Sequence, residues 1–73
     1  MKKPRSKKAT IVGAYSTDVS LALNWARLKK AVTSAGEIRD VGGRYAVSVK
    51  AKVSKKKLKE IIKERFGIFV SVV

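Results

Sequence analysis

The chain has 73 residues, no cysteine and no histidine, and its 18 lysines and arginines outnumber five acids to give a net charge of +13. A chain this short forms one domain that buries only about 60% of the surface its unfolded form exposes, which leaves little material for a deep substrate cleft. The missing residue types exclude disulfides, thiolate and imidazole metal sites and the usual general base, and no apolar run approaches the ~20 residues of a membrane span.

Residues 1–7 read as a flexible basic arm. Lys2, Lys3, Pro4, Arg5, Ser6 and Lys7 contain nothing apolar, so ordering them would cost backbone entropy without return. Residues 8–73 read as a single small domain. From Lys8 to Tyr15 the composition turns small and β-branched, with Ala9, Thr10, Ile11 and Val12, which predicts a strand. Both parities are apolar or small, so this strand is expected to be central and covered. No sustained apolar segment follows the lysine-rich start, so no secretory signal is read and a cytoplasmic location is expected.

Ser16 and Thr17 offer N-caps for a first helix, and Asp18 places a negative charge in its first turn. Leu21, Trp25, Leu28 and Val32 follow at one-face spacing. Lys29 and Lys30 fall near the helix end, and Gly36 is the expected stop. Residues 37–52 then read as a hairpin turning at Gly42-Gly43, where positive φ is tolerated at both positions. That turn sets Val41 opposite Arg44 and Ile38 opposite Val47. Ile38, Tyr45, Val47 and Val49 then share an apolar face, while Arg39, Arg44, Ala46, Ser48 and Lys50 share the other.

Ser54 caps a second helix with Leu58, Ile61, Ile62 and Phe66 as its apolar stripe and Gly67 as its end. Ile68 to Val73 makes a terminal strand, apolar on both parities. The order is βαββαβ, and the expected α+β fold is a four-stranded antiparallel sheet with two helices on one face, the split-βαβ or ferredoxin-like arrangement. The terminal strand would lie at an edge of that sheet, where Ile68 to Val73 is a candidate for self-association.

The five acids are Asp18, Glu37, Asp40, Glu60 and Glu64, and none forms an evident acid/base or metal-binding pair. Glu60 and Glu64 share a helix face, but Lys56, Lys57, Lys59 and Lys63 surround them, and solvated ion pairing explains them. Serines and threonines lack a base to activate them. No catalytic residue, cofactor or metal is therefore expected. The charge exceeds the ~2–8 that solubility asks of a small domain, and it attracts nucleic acid or acidic protein surfaces. The candidate anion-binding residues are Lys2, Lys3, Arg5, Lys7, Lys8, Arg39, Arg44, Lys50, Lys52, Lys55, Lys56, Lys57 and Lys59. Lys55, Lys56 and Lys57 sit in a first helical turn, where the dipole disfavours cations. The first helix obeys that rule at both ends, so the second helix's breach of it points to selection for a bound anion.

The stretch Gly43-Arg44-Tyr45-Ala46-Val47-Ser48-Val49 resembles the third-strand motif of RNA-recognition-motif domains, which share the βαββαβ order. Arg44, Tyr45 and Ala46 fit it, while Val47 and Val49 stand where that motif places aromatics. In length, in its lysine clusters at Lys2 to Lys8 and Lys50 to Lys63, and in lacking a catalytic constellation, the chain also resembles small phage-encoded regulators of host RNA polymerase. That resemblance implies an acidic protein partner with nucleic acid nearby. The expected function is a non-enzymatic transcription regulator that contacts DNA, RNA or the acidic surface of RNA polymerase. The alternative is an RNA- or ribosome-associated structural protein, since phosphate contact needs no base readout. A membrane-surface role is not expected, because the large apolar residues serve the helix faces.

Overall fold

Strict alternation along the central strands builds this fold, seen in a computed structural model that describes residues 7–73. Strands β1 (Lys7–Gly13), β2 (Val32–Ala35), β3 (Arg39–Val41), β4 (Arg44–Ala51) and β5 (Val70–Val72) form one antiparallel sheet, joined by helices α1 (Ser16–Leu28) and α2 (Lys55–Phe66). β1 and β4 are central and pair from Lys7 opposite Ala51 to Gly13 opposite Tyr45. β5 pairs β1 on the far side, and the ladder extends through reciprocal Thr10–Val73 backbone bonds of 2.9 and 2.8 Å. β2 and β3 both pair β4, so together they form one interrupted edge. With those two taken as a single edge, the sheet order is the ferredoxin-like one. Residues 1–6 of the expected arm lie outside the described residues; Lys7, assigned to that arm, is the first residue of β1.

Ala9 and Ile11 of β1, Val47, Val49 and Ala51 of β4, and Val70 and Val72 of β5 are buried. Val19, Ala22 and Ala26 of α1 and Leu58 and Ile62 of α2 join them in one core, so both helices cover the same sheet face. Side chains such as Ile11, Leu58 and Ile62, almost wholly withdrawn from water, stabilise by about 1.5–3 kcal/mol each. Thr10, Val12 and Ala46, on the opposite parity, stay half-exposed, and Lys8, Ser48, Lys50 and Ser71 are exposed. β1 is therefore central, as expected, but covered on one face only.

The first helix departs most from the pattern of its large apolar residues. Its buried stripe is Val19, Ala22 and Ala26 with Leu23 partly covered, whereas Leu21 and Leu28 are 54% and 75% exposed. Trp25 is half-buried and links the helices, its indole N–H donating to the Ile61 carbonyl at 3.2 Å. The cap position is Tyr15, without a side-chain capping bond, so Ser16 and Thr17 lie inside the helix. The helix stops at Leu28 instead of Gly36, and Val32, expected on its face, opens β2.

The hairpin follows its glycines. Gly42 and Gly43 have φ of 59° and 89°, Val41 pairs with Arg44, and the Gly43 N–H donates to Asp40 Oδ1 at 3.3 Å. Ser54 caps α2, its Oγ accepting from the Lys57 N–H at 3.2 Å, and Gly67 terminates the helix. A short 3-10 turn (Gly67–Phe69) precedes β5, so the terminal strand is shorter than expected but occupies the expected edge.

Candidate nucleic-acid interface

The uncovered face of the sheet collects the basic residues that alternation turns away from the core. Lys8 stands directly opposite Lys50, Thr10 opposite Ser48, and Val12 opposite both Ala46 and Ser71. The floor is thus made of short side chains. At one end Lys8, Lys50 and Lys55 line an open hollow of about 630 Å³ with Thr10, Ser34 and Ser48. A second hollow continues from it through the shared Thr10 and Ser48, and there Arg39, Arg44 and Glu37 flank Val12 and Ala46. Two cations directly opposite each other on neighbouring strands destabilise the pair, and a cation at the start of α2 opposes the helix dipole. Lys8–Lys50 and Lys55 bring both costs into one hollow.

Not all candidates share this place. Lys52, Lys56, Lys57 and Lys59 are exposed but line neither hollow. Lys2, Lys3 and Arg5 lie outside the described residues, and of Lys7 only its pairing with Ala51 is described, which puts the start of β1 at the lysine end of the face. Two further cations are engaged elsewhere: Lys29 Nζ and the Arg65 guanidinium lie 4.7 and 5.2 Å from the centre of the Trp25 ring. Thr10, Ser48 and Ser34 join the site although charge alone does not point to them; the alternation of β1 and β4 already sets Thr10 and Ser48 beside the lysines.

The motif resembling RNA-recognition-motif domains falls on β4, the strand corresponding to the third of that order. Tyr45, however, packs partly buried against the core, so its ring is turned away from the open face, which holds Ala46 and Ser48 there instead. Among the described residues no group of three or more Asp, Glu, His or Cys could hold a metal ion, and no helix is long and apolar enough to cross a membrane. No protein-family model, curated protein or solved structure matches the chain.

Proposed function

We propose that this chain is a non-enzymatic regulatory protein that acts by binding nucleic acid along the open sheet face, in the setting of transcription. The observation that carries the reading is the hollow around Lys8, Lys50 and Lys55, where mutual repulsion and an unfavourable dipole are tolerated together. A phosphate seated there relieves both, through charge-assisted hydrogen bonds from ammonium groups. Short side chains at Thr10, Ser34 and Ser48 leave room for a backbone to approach, and their hydroxyls add donors. The transcription setting is supported by the lysine clusters and net charge of +13, a charge character resembling that of small basic regulators of RNA polymerase.

The test is titration of labelled DNA and RNA by wild type and by a Lys8→Gln/Lys50→Gln variant across a salt series. Binding by wild type should weaken with salt. The variant should bind more weakly, with a log–log slope flatter by about 0.7–0.9 for each phosphate no longer neutralised, while its folding stability holds or rises. If neither DNA nor RNA is bound at low salt, and RNA polymerase is retained on the immobilised protein after nuclease treatment, the partner is an acidic protein surface and this reading fails.

A further inference from the structure

We infer that the bound nucleic acid is single-stranded, and that Tyr15 and Phe69 stack its bases at the end of the open face remote from Lys8. This rests on the nucleic-acid reading above and names the strandedness that the reading leaves open. Tyr15, between β1 and α1, is 66% exposed, and Phe69, the last residue of the 3-10 turn, is 70% exposed; Ile68 beside it is 89% exposed. The core closes without any of the three. Two aromatic rings held in water forgo burial that would otherwise stabilise the fold, and clustered exposed apolar groups mark interaction sites.

Their placement joins them to the basic face. Tyr15, Phe69, Asp18 and Arg44 line a third hollow whose floor includes Val12 and Ser71. Val12 and Ser71 are register partners on the open face, and Val12 and Arg44 also line the second hollow. A continuous lane therefore runs from the lysines past the arginines to the rings. Gly13 draws its far end together: a Cβ there would meet Val19 Cγ2 at 3.0 Å and the Phe69 carbonyl oxygen at 3.4 Å. The missing side chain lets Val19 pack close to the end of β1, while Tyr15 and Phe69 line the hollow beside it.

The chemistry of this end differs from that of the lysine end. Rings stack on the flat faces of bases, which a duplex hides and a single strand exposes. A guanidinium also packs against a base plane or a phosphate. A carboxylate repels phosphate but accepts from exocyclic base amines, so Asp18 suits a base. From Lys8 to Gly13, the end of β1, the lane spans roughly 17 Å at about 3.3 Å per residue, and Tyr15 lies just beyond, a length suited to the roughly two to four nucleotides that small single-strand modules hold.

The experiment compares a labelled mixed-sequence single strand of about ten nucleotides with the duplex formed from the same sequence. The proteins are wild type, Tyr15→Ala, Phe69→Ala, the double variant and the conservative Phe69→Tyr, each checked for folding by circular dichroism. Wild type should prefer the single strand. Each alanine should weaken single-strand binding by about five- to a hundredfold with the salt slope unchanged, since the rings touch bases and leave the phosphates to the lysines. Phe69→Tyr should bind as wild type. Equal binding of single strand and duplex, with the double variant as tight as wild type, would overturn the inference while leaving the lysine-dependent reading intact. Failure of wild type to bind any nucleic acid would overturn both.

Discussion

Lys30 holds a backbone φ of 59°, in the left-handed region that costs an L side chain about 1–2 kcal/mol. Its N–H donates to the Arg27 carbonyl and that of Ala31 to the Ala26 carbonyl, both at 2.9 Å, the paired bonds of a Schellman stop. Lys30→Gly should therefore raise stability by about 1 kcal/mol in urea unfolding; a lowered midpoint would mean that the lysine side chain supports the stop. Glycine is the usual residue at this position, so a lysine there conceals the helix end, and the sequence points onward to Gly36. The buried face of α1 was concealed by size. Val19, Ala22, Leu23 and Ala26 have helical spacing as good as that of Leu21, Trp25 and Leu28, but small residues let a helix lie close to a sheet, and bulk is no guide to that. Gly42-Gly43 was legible because few backbones other than a tight hairpin turn demand positive φ twice in succession.

Among the elements, α2 shows most clearly a local preference set against the proposed use. Its first turn holds Lys55, Lys56 and Lys57 and no acid. Replacing all three with Gln should leave thermal stability equal or slightly higher, since each cation opposes the dipole by about 0.3–1 kcal/mol at low salt. The same change should weaken nucleic-acid binding, with Lys55→Gln alone giving most of the effect because, of the three, Lys55 lines the hollow shared with Lys8 and Lys50. Equal weakening by the three single variants would show that general field strength, and not the hollow, governs binding. The cations were legible in the sequence, as was the shared face of Arg39, Arg44 and Lys50, but the joining of Lys8 and Lys55 to that face was not. Lys8 stands opposite Lys50 only through the β1–β4 register, and Tyr15 and Phe69 come to line one hollow because β5 returns beside β1. The split edge was hidden because the helical spacing of large apolar residues runs on through Val32 and so absorbs β2.

For the whole molecule, a net charge of +13 acts on folding and on binding with opposite sign in salt. Screening shortens the range of self-repulsion to about 10 Å at 0.1 M, so the melting temperature should rise as salt increases from about 50 to 200 mM. Over the same range nucleic-acid affinity should fall by about tenfold or more. A melting temperature indifferent to salt would show that the charges are spaced widely enough to ignore one another. Binding a polyanion removes the same repulsion, and with it the force that holds copies apart when several occupy one strand. Edge geometry then governs their fate. On one side β2 and β3 are separate strands and the register shifts between Val32 and Ser34; on the other β5 runs for three residues, a short template for the self-association expected of Ile68 to Val73. Neither edge offers the long, flat row of free amides and carbonyls that recruits further strands. Crowded and neutralised, the copies should sit along a nucleic acid as separate beads, with no ladder between them to grow into a fibre.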